Sequence, residues 1–503
     1  MRVWAALLAL ACVLGVATGC DGGITGDRGD AREGGSVLVG LAERPDSLDP
    51  ALARSPVALQ ALWLAYTPPM TYRRAEDAQG TQLAPGLAES APEADDQNRE
   101  FTFTLRKNLS YSDGRPVLAG DVDRAIRRSR SLNPDARRAL AGIEDVAADE
   151  RKREVRITLS VPDPEFPDLL TTLWTAPVPP GTPTRDLTRT PVAGVGPYRL
   201  EAPTRGRAYV LTRRRGFRLS GVPAGNVDSV AGTVVRDNAR RTSQTLSGLL
   251  DVTQGEPPVQ RLPQIRSEYK SRYREFPTLT SRYVAFNLDR PPFTDQDARR
   301  AVAFALDLRA LTRLEDGFLS PTCNAIPPQV PGYVELDPCP YGARDGDPDL
   351  VRAERLVRGS SDRDARVLVD GGEGPRADPL ARYGVEVLKK IGLRARRART
   401  ERDRLRAHLR FEEVTPSLPV PARYLDVVTD SGVHSEVGAL ERDADTPKSP
   451  RWAALDRDVV EGALIAPFGL RTTGVLLSER LDADQCLRFH PVYGLDFSSL
   501  CLS

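Results

Sequence analysis

Six cysteines and three histidines are the side chains of this 503-residue chain best suited to covalent or metal chemistry. Cys20 closes an apolar run in GVATGCDGG (15–23), where a thiol could be half of a disulfide, a free nucleophile or an attachment point. Cys12 lies inside that run. Cys323, Cys339, Cys486 and Cys501 fall as two close pairs in sequence. In an exported chain an even number of cysteines is best read as disulfides, and nearest-neighbour pairing is the simplest of the three connectivities open to four thiols. Each such bridge would close a loop of about 15 residues and contribute on the order of 3 kcal/mol. Zinc is the rival, but the spacings are not C-x-x-C and only His408, His434 and His490 could join as ligands, so no metal is expected. Three histidines supply little general base, and neither G-x-S-x-G nor H-E-x-x-H occurs. Gly194-x-Gly196 is followed by Pro197 and Arg199 instead of a third glycine and a helix, which rejects a dinucleotide loop. The expectation is a protein that does no catalysis and holds no cofactor.

The apolar run itself, Val3 to Ala17, follows Met1-Arg2 and ends in small residues, as a secretory signal does. It is short for a spanning helix, and no later stretch reaches the roughly 18 apolar residues a span needs. Ala17-Thr18-Gly19-Cys20 resembles a bacterial lipobox, which implies a signal peptide over 1–19 and lipid attachment to Cys20. Two or more acyl chains would hold the protein at the extracellular face of the membrane, and residues 20–35 would form a flexible tether. Lys+Arg (70) and Asp+Glu (69) balance to a net charge of +1, which argues against nucleic acid as partner. The most basic run, 394–410 (RARRARTERDRLRAHLR), has acids interspersed and reads as a solvated face.

At 503 residues the chain exceeds one hydrophobic core. Residues 36–42, 101–105, 155–161, 281–287 and 367–369 read as strands, with another from Leu393. Residues 119–129, 297–311, 380–391 and 452–464 read as helices. In the second of these Ala301, Phe304, Ala305 and Leu308 share one face. Strands and helices alternate throughout, so the class is α/β.

Several stretches, in order, resemble the family 5 extracellular solute-binding proteins, the peptide and nickel receptors of ABC importers. They are ERPDSLDP (43–50), LAPGLAES (83–90), FTFTLRK (101–107), YSDGRPVLAGD (111–121), GVGPY (194–198), residues 283–307 and the tail HPVYGLDFSSLCL (490–502). The resemblance implies a two-lobed periplasmic-binding-protein type II fold with an extra subdomain in lobe one. Lobe one is expected over 36–75, 177–285 and 466–503, its extra subdomain over 76–176, and lobe two over 286–465, with hinge crossings near 282–287 and 464–468. Cys323–Cys339 would then staple a loop of lobe two and Cys486–Cys501 the end of lobe one.

The same resemblance makes Trp63, Tyr66 and Trp174 candidates for the cleft, with the core as the alternative for each. The family's tryptophan-led acidic stretch of lobe two is missing here. Residues 423–430 (RYLDVVTD) read as the strand before it, so Asp426 or Asp430 would have to meet a ligand amine unless each merely ends a strand. The implied function is a monomeric, lipid-anchored receptor that captures a small solute or oligopeptide and delivers it to ABC permease subunits. The alternative is a degenerate member serving as a cell-surface interaction or signalling lipoprotein.

Overall fold

A computed structural model describes residues 33–342, 346–360, 362, 364–442 and 449–503, so Cys20 and the signal and tether expected up to residue 32 lie outside the described residues. Ten strands form the path of the main sheet: β1 (Ser36–Leu41), β2 (Tyr198–Glu201), β3 (Tyr209–Arg213), β4 (Ser229–Val234), β5 (Val252–Gln254), β6 (Tyr273–Phe286), β7 (Arg366–Asp370), β8 (Arg394–Arg397), β9 (Leu409–Val414) and β10 (Ile465–Leu477). Their spatial order is β8-β7-β9-β6-β10-β5-β1-β4-β3-β2, and the short strand Leu319–Ser320 pairs with β10 off this path. The mixed sheet carries parallel ladders at both ends. In one, β1 runs between β4 and β5; in the other, β7 lies between β8 and β9.

The two largest cores cover this one sheet. Val37, Val39, Leu62, Tyr198, Tyr209, Val230, Val475 and Phe497 belong to the first. Val284, Phe304, Val367, Val369, Leu388, Phe411 and Phe468 belong to the second. The antiparallel pair β6 and β10 serves both, since Phe276 and Val475 face the first core while Val284 and Ala466 face the second. Its register breaks between Pro277 and Ser281 and again between Arg282 and Tyr283, where the strands pass from one core to the other. A third core, with Phe101, Phe103, Ile126, Val155, Ile157 and Phe166, lies under a separate four-stranded antiparallel sheet.

The helices follow from local chemistry. Ser55 caps α1 (Pro56–Leu62), with proline at its first position. In α2 (Gly120–Leu132) Asp121 and Asp123 lie in the first turn, where negative charge suits the dipole. The helix expected over 297–311 is two, α3 (Gln296–Ala305) and α4 (Leu308–Leu314). Asp307 breaks the run by accepting the Ala310 N–H at 2.8 Å as the cap of the second. Further along are α5 (Ala377–Lys390), α6 (Ala422–Leu425), α7 (Ser431–Glu441) and α8 (Arg451–Glu461). Residues 423–430 are therefore the end of a short helix and a turn, not a strand. Pro421 starts that helix, and no ladder partner lies beside it.

Motif residues mostly build the scaffold. Asp49 takes Arg128 in a bidentate pair at 2.7 and 2.5 Å, which fastens α2 to lobe one with both side chains buried. Gly194 and Gly196 are needed for close approach. A Cβ on either would meet the carbonyl oxygen of Ala65 or Leu64 at 2.3 or 2.4 Å. No helix among the described residues is long and apolar enough to cross a membrane.

Candidate functional site between the lobes

A cavity of about 750 Å³ opens between the extra subdomain and the second lobe. Ala78, Thr81, Gln82, Leu83 and Asp168 line one side. The other side is the loop 328–334 (PQVPGYV), with Pro419, Val420, Ser449 and Pro450. The volume suits a small organic solute. The two sides touch where the Thr81 hydroxyl donates to the Gln329 carbonyl.

Three devices fix the loop that carries Gln329. The Cys323–Cys339 disulfide closes it, with a Cα–Cα distance of 5.8 Å. Asn324 donates its amide to Asp456 Oδ2 at 2.8 Å and to the Val334 carbonyl at 2.9 Å, and its own oxygen accepts the Leu336 N–H. Asp456 also accepts the Ala325 N–H at 2.9 Å. Burial pushes the Asp456 carboxyl up to about 6 in spite of these donors. The second bridge, Cys486–Cys501, ties the chain's end into lobe one, so both disulfides join nearest neighbours in sequence.

An aromatic block of lobe one adjoins the subdomain side. Trp63 stacks on Tyr493 with centroids 4.5 Å apart, and Arg74 lies 3.7 Å over the indole. Tyr493 donates its hydroxyl to the Thr171 carbonyl at 3.3 Å, and Tyr72 donates to Asp168 Oδ1 at 2.9 Å. His490 is enclosed, and burial together with Arg74 pulls its ring down to about 3. The neutral ring therefore donates Nε2–H to the Arg73 carbonyl and accepts the Val492 and Tyr493 N–H groups at Nδ1.

Asp168 is 4% exposed. Burial, with Asp163 nearby, raises its carboxyl to about 7 against the pull of the Tyr72 hydroxyl. Burial and the carboxylates Glu441, Asp168 and Asp163 raise Glu165 to about 8. Arg423 is the opposing charge, itself 3.3 Å from Asp426.

A different chemistry holds the lobes where β6 and β10 cross. Arg282 binds Glu315 at 2.6 Å and Glu413 at 2.9 Å. Arg376, at the start of α5, binds Asp316 at 2.9 Å and also Glu256, which follows β5 in the first lobe. Arg471 reaches Glu256 as well, and lies 3.5 Å from Glu315.

The candidates named from sequence are not gathered at the cavity. Trp63 and Tyr66 are 2% and 1% exposed, and the Tyr66 hydroxyl donates to the Val192 carbonyl. Trp174 packs against the subdomain core. Asp430 caps α7, accepting the Gly432 and Val433 N–H groups, and Asp426 pairs with Arg423. Sequence reasoning passed over Asp168 and Gln329. The signals were three acids within six residues at 163–168 and a glutamine set among prolines inside a cysteine-bounded loop.

Residues 82–411 match the bacterial extracellular solute-binding proteins, family 5 middle. The chain is 26% identical over 291 residues to the probable D,D-dipeptide-binding periplasmic protein DdpA of Escherichia coli (strain K12), covering 56% of this chain and 55% of the relative. It is 25% identical over 320 residues to the glutathione-binding protein GsiB of Salmonella choleraesuis (strain SC-B67), covering 62% and 60%. These matches span less than two thirds of the relatives' length. Among solved structures, a clavulanic acid biosynthesis oligopeptide binding protein 2 superposes with a TM-score of 0.81 at 22% identity, over 94% of this chain and 96% of that one. The nickel ABC transporter protein of Bacillus halodurans superposes with a TM-score of 0.77 at 18% identity, over 93% and 99%. At these identities the likeness establishes the two-lobed fold. Members of the matched family bind solutes and are not enzymes. With two thirds of its length matched, this chain belongs to the family 5 extracellular solute-binding proteins of bacteria.

Proposed function

We propose that the protein is the solute receptor of an ABC importer, anchored through lipid on Cys20. It captures a peptide-like solute between its lobes and presents it to the permease. The observation that carries this reading is the cavity of about 750 Å³ between the subdomain and the disulfide-closed loop of the second lobe. The two strands that join the cores would act as the hinge, a reading supported by the breaks in their register between 277 and 283. A solute that contacts both sides would favour the closed form by its excess affinity for that form.

Thermal shift of the purified chain against short peptides, glutathione and nickel chelates tests the receptor reading. Stabilisation that grows with concentration supports it, and no shift with any class favours the interaction-protein alternative. Cys20→Ser tests the anchor: the variant should leave the membrane fraction, and retention there would refute lipid attachment.

A further inference from the structure

The cavity's charge is unusual for this chain. Lys+Arg number 70 in the sequence, yet among the described residues no arginine or lysine lines the cavity. Among the described residues its one charged lining group is Asp168. Four polar lining side chains are more than nine-tenths buried, Thr81, Asp168, Gln329 and Ser449, and of these Asp168 and Gln329 keep an acceptor without a donor. Gln329 Oε1 is buried with no hydrogen-bond partner. Asp168 receives the Tyr72 hydroxyl on Oδ1, and no donor among the described residues bonds Oδ2.

The other polar lining groups are already engaged. The Thr81 hydroxyl serves the Gln329 and Ala78 carbonyls, Gln82 Oε1 accepts from Arg73, and Ser449 Oγ accepts the Arg451 N–H. Apart from Tyr333, the remaining side chains are apolar, among them Leu83, Val330, Val334, Pro419 and Val420. Buried acceptors without donors are costly, so a bound solute that supplies N–H groups gains most here. A carboxylate would meet no cation among the described residues, only neutral donors such as the Gln82 amide and the Ser449 hydroxyl, and would face Asp168.

Resting on the receptor reading above, we propose that the solute is an apolar monocation bearing an ammonium and no free carboxylate. The ammonium binds Asp168 Oδ2, and a further N–H of the solute donates to Gln329 Oε1. The receptor thus excludes zwitterionic peptides and favours amine-bearing compounds such as peptide amides.

The test is a matched probe series titrated by calorimetry into the full chain at pH 8. The probes are leucyl-leucine amide (cation), leucyl-leucine (zwitterion), N-acetyl-leucyl-leucine (anion) and its doubly blocked amide (neutral). The cation should bind at least ~10-fold tighter than the zwitterion or the anion, as expected for one charge-assisted bond without repulsion. Asp168→Asn should reduce that preference to within about 2-fold. Gln82→Arg, at the exposed rim, should weaken the cation by roughly 3-fold relative to the neutral probe. Tighter binding of the anion or zwitterion overturns the proposal, as does a cation preference that survives in Asp168→Asn. If none of the four binds but glutathione or a nickel chelate does, the charge proposal fails and the receptor reading stands. If no solute of any class binds, the receptor reading itself fails.

Discussion

Arg282, Arg376 and Arg471 meet four carboxylates where β6 and β10 pass between the lobes, whereas the cavity between the same lobes has no cation among the described residues. Both regions are interlobe, and both contain a nearly inaccessible carboxylate, Glu315 at 1% and Asp168 at 4% exposed. At the crossing that carboxylate is held by three guanidinium groups, and the energy goes into fastening two lobes. In the cavity it is left with one hydroxyl, and its protonation is correspondingly costly to remove. Arginine is abundant in this chain, so its concentration at one wall and its absence from the described residues of the other separate a structural joint from the proposed binding surface.

The largest effect should come from breaking the joint. Glu315→Gln leaves Arg282 partly unmatched in a buried setting, and loss of one partner of a buried pair costs about 3–5 kcal/mol. Urea unfolding should show that loss, and a change below about 1 kcal/mol would mean that Glu413 and Glu256 carry the pairing alone. Next comes the cavity wall. Cys323→Ser with Cys339→Ser should cost roughly 3 kcal/mol by loop entropy and loosen the segment bearing Gln329. The matching change at Cys486 and Cys501 should cost about as much stability through a loop of similar length, yet leave solute affinity in place.

Asp168→Asn sharpens the contrast because its sign is opposite. The folded carboxyl titrates at about 7, above its ordinary value of 3.8. Protonation therefore favours the fold: the group costs nothing in very acid solution, costs progressively more as pH rises from about 4 to 7, and a constant amount above. The asparagine variant should be more stable than the parent by on the order of 2 kcal/mol at pH 8, with the gap closing near pH 4. Equal melting at both pH values would show that the site is wetter than its burial indicates. The same titration governs binding of a cationic probe. Ionised Asp168 falls from about ten-to-one at pH 8 to one-to-ten at pH 6, so affinity should drop by up to ~10-fold while the neutral probe is unaffected. Tyr72 faces this carboxyl from the neighbouring strand and Asp163 from its own loop, so both can shift the midpoint.

The contrast between joint and cavity also marks what the sequence could reveal. Alternating strands, the apolar face of α3 and the ordered motifs identified the two-lobed α/β fold, because those signals are local. The cysteine pairs were legible for the same reason: the two partners are 16 and 15 residues apart. The junction was not, since Arg282, Glu315, Arg376 and Arg471 lie tens of residues apart, and ordinary surface arginines look the same in sequence. The cavity was less legible still. Trp63 and Tyr66 were attractive as aromatics, yet their hydrogen bonds and stacking partners turn them into the core. Asp426 and Asp430 suited an amine in chemistry, but a helix cap and an arginine pair engage them. Asp168 and Gln329 became visible only through three-dimensional enclosure, which no spacing encodes.

The smallest effect should come from the arginine-rich run 394–410, the most basic stretch of the chain. Arg396 of this run pairs with the half-buried Asp403 at 3.1 Å, and Arg402 and Arg406 are exposed. Exposed pairs are screened by solvent and hold two long side chains at an entropic cost that offsets most of their attraction. Arg402→Gln and Arg406→Gln should each change stability by less than about 0.5 kcal/mol and leave cation affinity unaltered. A larger stability loss would place these guanidiniums in a network like that of the crossing strands. A gain in cation affinity would mean that their field reaches the cavity, so that distance and screening, and not the lining alone, set its charge preference.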